Sequence, residues 1–304
     1  ASGLEAISHA ARLIETGAAD IVLAGGAESP STAPWRVAKP RNLYTAQPEF
    51  FAEARFAPQA AGNPSMIEAG EAVAREFGIT RERQDAYAAE SHRKALSDEA
   101  LVHAAQEIVP VSRPDERDEC PRPLRSELLA RMPPLLPGGS VTAGNSCPVS
   151  DGAAFALLIS EQAFRERGYE KGLRLETSAS AGCDPRLLGI SAVPAVRKLD
   201  LPANIETVAF VEAFASQVLA TLDALGLDAQ IVNPFGGAIA LGHPYGASGA
   251  VLAVQLFTQL VRNPSPGRSG AGLALAAAAG GVGAAALFTP IHSTCVKNSH
   301  AASG

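Results

Sequence analysis

The sequence predicts an α/β fold, and three observations carry that expectation. Leu4, Ile7, Ala11 and Ile14 recur at helical spacing over residues 2–16, and the chain then passes through Gly17 into a short apolar run at 21–24. A helix with a buried face followed by a buried strand is the rhythm of layered α/β architecture. The alternation returns in a second unit from about residue 172, where 207–210 reads as a strand and 213–225 and 247–261 read as helices. Finally, 272–279 and 284–288 read as two small-residue strands joined by the glycine-rich turn 280–283.

Between these units the texture changes. Over residues 30–149 prolines are frequent and charges cluster, with helices expected at 65–77 and 81–101. An insertion of this length with its own helices predicts a functional cap rather than a structureless loop. Apolar strand character returns at 153–159. The polar, non-periodic stretch 291–304 is expected to be a disordered tail.

At 304 residues the chain is long enough for about two domains. A net charge of -6 argues against nucleic acid as a bulk electrostatic partner. No apolar run is long enough to span a bilayer and no secretory pattern opens the chain, so no membrane partner is expected. Cys120, Cys147, Cys183 and Cys295 lack metal-ligand spacing, so no metal is expected and free thiols in a reducing cytoplasm are the simplest account. The first residues read as a helix already under way, with no Met and no capping residue before Ala1. The expectation is that residues precede Ala1 and that this helix packs on a strand outside the sequence.

The densest signal is NPFGGAIALGHPYGASG at 233–249, which sets His243 between two glycine-rich runs. Glycine costs conformational entropy and is kept where the backbone takes positive φ or approaches something closely. That density argues for a reactive loop over an incidental core histidine in a generic turn.

The loop closely resembles the GGAIALGHPxGASG signature of the thiolases, which make or break β-ketoacyl-CoA. Other segments follow in that family's order: ASGLEAI at 1–7, AGGAESPS at 24–31, MIEAGEAVAREFGITRERQDAYAAES at 66–91, VTAGNSCPVSDGAA at 141–154, DPRLLGISAVPA at 184–195 and VEAFASQ at 211–217. The resemblance implies a thiolase-like five-layered α/β/α/β/α fold with its N-terminal half truncated. Residues 1–29 and 150–172 would be the remainder of that half, 30–149 the CoA-binding cap, and 173–290 the C-terminal half. The implied reaction is acyl transfer between CoA thioesters, by thiolysis of a 3-ketoacyl-CoA or the reverse Claisen condensation. The CoA thioester is substrate, no cofactor is bound covalently, and the family forms dimers or tetramers in the cytoplasm.

A thiolase needs a nucleophilic thiolate, a base and donors for the thioester oxygens. By the resemblance the nucleophilic cysteine would immediately precede Ala1, so these 304 residues alone are expected to be inactive, with a separate N-terminal fragment as one source of it. His243 would activate that cysteine and help bind the thioester oxygen, a role suited to a group that titrates near neutrality. The family's second cysteine, its general acid/base, corresponds to Ala277, and the asparagine that holds an oxyanion-hole water corresponds to Val211. Neither replacement carries a proton or a hydrogen bond. Arg122 is matched to the adenylate end of CoA, and Cys147 to a pantetheine-binding serine. Gly242 and Ser248 complete the implied substrate and CoA contacts. The competing implication is a non-catalytic thiolase-like subunit that binds acyl-CoA or supports a partner.

Cys120, Cys183 and Cys295 match no role. His9, His92 and His103 lie on helical segments and read as surface or packing residues. Arg81, Arg83, Arg93 and Lys94 alternate with acids and read as a solvated helix face.

Overall fold

The computed structural model describes residues 1–39, 42, 49–51, 54–58, 62–114, 116–266 and 270–292. Helix α1 (Ser2–Glu15) leads to strand β1 (Ile21–Glu28), which pairs antiparallel with β4 (Gly152–Ile159). The second sheet has the order β5-β8-β7-β6, from β5 (Lys171–Gly182), β6 (Ile205–Phe210), β7 (Ala271–Ala278) and β8 (Val282–His292). Only the β6–β7 pairing in it is parallel. Helices α1 and α10 (Tyr245–Phe257) lie between the two sheets, while α7 (Ala192–Val196) and α8 (Ala215–Leu225) cover the far face of the larger one. The described residues therefore stack as β/α/β/α. The outer face of the β1–β4 pair carries Leu23, Phe155 and Leu157, which are 67%, 53% and 58% exposed.

Small residues let these layers close. A Cβ on Gly3 of α1 would lie 2.7 Å from the Gly246 carbonyl oxygen, and one on Gly26 of β1 would collide with the same atom. The buried face of α1 is covered from within the chain: Leu4 and Ile7 pack with Leu252 and Leu256 of α10 and with Ala274 and Ala286 of the larger sheet. This corrects the expectation that α1 needs a strand from elsewhere to bury that face. Strand β1 also runs four residues further than the apolar pattern indicates, because its glycines sit where Phe155 and Gly246 leave no room for side chains.

The cap holds a short hairpin, β2 (Arg36–Ala38) with β3 (Glu49–Phe51), and helices α2 (Met66–Glu76), α3 (Arg81–Ala95), α4 (Asp98–Glu107) and α5 (Ser126–Ala130). The expected single helix at 81–101 is two. The Ser97 hydroxyl accepts from the Ala100 N–H and starts α4 anew, since an oxygen at that position satisfies an otherwise orphaned donor. A capping box, Ser65 with Glu68, starts α2. The basic run on α3 is a solvated face only in part. Arg81 donates to Asp85 and to the carbonyls of Leu129 and Met132, Arg83 pairs with Asp223 of α8, and Lys94 donates to Val232 O. The exposed Arg93–Glu90 and Arg83–Asp223 pairs fit the sequence reading, whereas Arg81 and Lys94 do not.

Two further short helices, α6 (Glu161–Glu166) and α9 (Ala238–Leu241), complete the order, and α10 ends in a π-helical turn at Thr258–Arg262. Ile291 and His292, assigned above to a disordered tail, continue β8 opposite Gly172 and Lys171. Residues 293–304, with Cys295, lie outside the described residues.

Leu4 is fully buried at the contact of α1 with both sheets. Leu4→Ala is expected to lower the unfolding free energy by about 2–5 kcal/mol, read from urea denaturation, because the deletion leaves a cavity among residues that cannot collapse into it.

Candidate functional site

The site grows from the end of β6. Asn233 takes a left-handed backbone (φ 42°), and its side-chain amide pairs with both the N–H and the carbonyl of Phe210, at 2.8 and 2.9 Å. That side chain acts as one more strand partner and splices the glycine loop onto the sheet. Its Nδ2 also donates to Glu212 Oε1 at 2.6 Å. Glu212 is 1% exposed and accepts in addition from Tyr87 Oη (2.8 Å), Ser91 Oγ (2.8 Å) and the Ile239 N–H (3.1 Å). Tyr87 and Ser91 belong to cap helix α3, so one carboxylate joins cap, sheet and loop. A Cβ on Gly237 would collide with that carboxylate, which explains the glycine there. Burial, and then the Glu212 charge, push the Tyr87 phenol well above its ordinary pKa, so it stays a donor.

The loop then turns through Gly242 (φ 103°), whose missing side chain leaves room for Ser150. The next residue is His243. Its N–H donates to Pro148 O at 2.9 Å, which lays the loop beside the 141–154 segment. The His243 Nδ1 lies 2.6 Å from Ser248 Oγ, and the ring stands edge-on to Tyr245 with centroids 5.1 Å apart. Burial above all lowers the His243 pKa to about 4. The imidazole is therefore neutral at neutral pH, and the residues that follow it pack on the start of α1, where side chains on Gly3 or Gly249 would collide with Gly246 O and the Leu4 backbone. With Nδ1 engaged, Nε2 is the working nitrogen: a bare lone pair if Nδ1–H donates to Ser248, a donor if Ser248 does.

Three of the sequence-predicted positions share one narrow pocket. Val211, Gly242 and Ser248 line it, with Leu241, Pro244 and Leu252. Val211 presents an apolar wall there, its backbone N–H tied to Leu275 O. Ser248 is turned inward with its hydroxyl on His243. Ala277 lies on β7 opposite Gly283, half-buried, and does not line the pocket. Arg122 is exposed on the cap; its N–H donates to His92 Nδ1 and its guanidinium to Cys120 O.

The described thiols are held neutral. Cys147, whose N–H donates to Ala213 O, has its pKa pushed up to about 12, first by burial. Burial raises Cys120 and Cys183 as well, with Asp118 and Asp184 adding to it. A thiolate, not a thiol, is the nucleophile, so none of these three is poised to attack. Among the described residues no group of three His, Cys, Asp or Glu side chains could hold a metal, and no helix is long and apolar enough to cross a membrane.

Reasoning from sequence missed two residues that build the site. Glu212 lay unremarked in a motif, although an acid inside an apolar run at a strand end is a signal of burial with partners. Ser248, expected among the substrate and CoA contacts, has its hydroxyl on the histidine. His92 is buried and unprotonated, with its pKa lowered to about 4 by burial and then by Arg122, and it anchors the Arg122 loop.

This architecture and loop match known proteins along nearly the whole chain. The thiolase N-terminal domain model matches residues 1–162 and the thiolase C-terminal domain model residues 170–290. The chain belongs to the thiolase family. It is 41% identical over 297 residues to the "Putative acetyl-CoA C-acetyltransferase VraB" of Staphylococcus epidermidis, covering 94% of this chain and 76% of that protein. A Staphylococcus aureus relative of the same name is 39% identical over 298 residues, covering 95% of this chain and 76% of its own length. The crystal structure of the Bacillus anthracis acetyl-CoA acetyltransferase superposes with a TM-score of 0.85 at 33% identity, covering 95% of this chain and 77% of that one. The α/β fold is thus thiolase-like, as the motifs imply.

Two outcomes follow from the burial of these groups. Glu212→Ala is expected to cost about 3–5 kcal/mol in urea denaturation, because it strands the buried donors that surround the carboxylate. His92 and His243 are held near 4 in the folded state, against about 6.5 in an unfolded chain. Between those values the unfolded chain binds more protons, so stability is present above about pH 6.5 and is lost as pH falls toward 4. The urea midpoint should drop between pH 7.5 and 5, and His92→Gln should reduce that drop.

Proposed function

We propose that this protein carries out thiolase-type acyl transfer between CoA thioesters, as thiolysis of a 3-ketoacyl-CoA or the reverse condensation. The observation that carries the reading is the packing of the His243 loop on the start of α1, so close that side chains on Gly3 or Gly249 would collide with Gly246 O and the Leu4 backbone, together with a buried, neutral imidazole. A cysteine at the position before Ala1 would stand at a helix N-terminus whose first-turn N–H groups have no side-chain cap, an environment that favours a thiolate. His243 Nε2 would take its proton, the sulfur would attack the thioester carbonyl, and the departing CoA thiolate would take the proton back. The printed names of the relatives support this substrate class.

In this reading residues 30–149 form the CoA cap, with residues 1–29 and 150–172 as one half of the scaffold and 173–290 as the other. Arg122 meets the adenylate end of CoA, Cys147 and Gly242 flank the pantetheine path, and Ser248 acts through His243. The protein works in the cytoplasm, in fatty acid metabolism, as a dimer or tetramer. Val211 and Ala277 favour a second reading: with no proton carrier at one position and no hydrogen bond at the other, the chain binds acyl-CoA as a non-catalytic subunit.

A polypeptide limited to these 304 residues is expected to bind acetyl-CoA in calorimetry without cleaving acetoacetyl-CoA, and Arg122→Ala is expected to weaken that binding. No binding, or robust cleavage by a preparation of that mass, would overturn the assignment. In a form with cysteine before Ala1, His243→Ala should slow acylation about 10²–10⁴-fold. There, Val211→Asn with Ala277→Cys should raise steady-state turnover more than burst-phase acylation, whereas a non-catalytic subunit would show no burst at all.

A further inference from the structure

Among the described non-glycine residues only Asn233 and Tyr245 have positive φ. Asparagine tolerates the left-handed region, and here its amide is bonded to Phe210. Tyr245, at φ 24°, is a bulky residue in the same region of backbone space. A bulky side chain held in that region persists only where its surroundings over-determine the backbone.

The surroundings do so from both sides. His243, two residues before, is tied through its N–H to Pro148 O. Gly246, immediately after, is clamped: its carbonyl is pressed between Gly3 of α1 and Gly26 of β1, and its N–H faces Glu28 Oε2 at 3.4 Å. The Ala247 N–H closes the turn on Pro244 O at 2.7 Å. The chain must cross from one fixed point to the other in a single turn, and Tyr245 takes up the strain.

That strain has a product. Tyr245 is 47% exposed, yet its ring stands edge-on to the imidazole of His243 at 5.1 Å and 72°. Edge-to-face packing of this kind fixes the relative angle of two rings. The Ser248 hydrogen bond holds the buried imidazole at Nδ1. The Tyr245 ring meets it from a different direction and adds a second restraint on its angle.

We propose that Tyr245 is a positioning residue for His243, its ring pressed against the imidazole by the strained turn so that the Ser248 hydrogen bond and the aromatic contact together set the direction of Nε2. For acyl transfer this would keep the base aligned with the start of α1, a consequence that rests on the function proposed above. The orientation itself does not.

The test is long-range ¹H–¹⁵N NMR of the histidine rings in the 304-residue chain, with the His243 signals assigned by their loss in His243→Gln. Tyr245→Phe keeps the ring and should reproduce the parental ¹⁵N shifts and titration. Tyr245→Gly removes the ring and accommodates positive φ. Its urea midpoint should therefore not fall, while the His243 ¹⁵N shifts should average between tautomers and its titration midpoint should rise by at least one pH unit. Such movement in a variant of undiminished stability cannot come from general loss of the fold. Unchanged His243 signals in Tyr245→Gly, or equal movement in both variants, would overturn the proposal. The readout is independent of turnover, so positioning can fail while acyl transfer stands, and the reverse.

Discussion

The structure turns on one buried carboxylate. Removing a charge from water costs several kcal/mol, and a lone Glu at the position of Glu212 would neutralise itself or unfold the site. It is retained because four donors converge on it from α3, the 233–239 loop and the start of α9. Each of those donors is fixed by the same act. A loop as rich in glycine as 233–249 has few side chains of its own to define its path. Its shape comes from what it is bonded to, and the first anchor is Glu212. The cap is held the same way, with Glu71 gripping the backbone N–H groups of Ser140 and Val141, and Asp85 accepting from Asn145.

Downstream of that anchor, the electrostatics favour a base over an acid. Burial keeps His243 neutral, Ser248 engages one of its nitrogens, and the described thiols are all held protonated. Val211 and Ala277 are apolar, and Val211 belongs to the main core cluster. An apolar side chain in the core needs no partner, whereas an asparagine there would need its amide satisfied.

Much of the fold was legible in the sequence, for a plain reason. Where burial is one-sided or complete over a continuous run, as in α1, β4, α8 and the β7–β8 hairpin, periodicity and composition carry the signal. Reading failed where a neighbour distant in sequence decided the outcome. Gly25 and Gly26 look like a strand terminus until Phe155 and Gly246 are set against them. Arg81 and Lys94 on α3 look solvated until the carbonyls of Leu129, Met132 and Val232 arrive. The 81–101 helix looks continuous, although Ser97 was visible as a capping residue and could have been weighed.

The site divides along the same line. By itself the sequence determined the family, the glycine-rich loop with His243 at its centre, and the apolar residues at positions 211 and 277, because each depends on which residue stands at which place. Only the tertiary structure decided that Ser248 faces His243, that His92 supports the Arg122 loop, and that Glu212 binds cap to sheet. Those roles are contacts between segments far apart in the chain. The free energy of a buried hydrogen bond depends on where its partner is, and that is a property of the packed molecule.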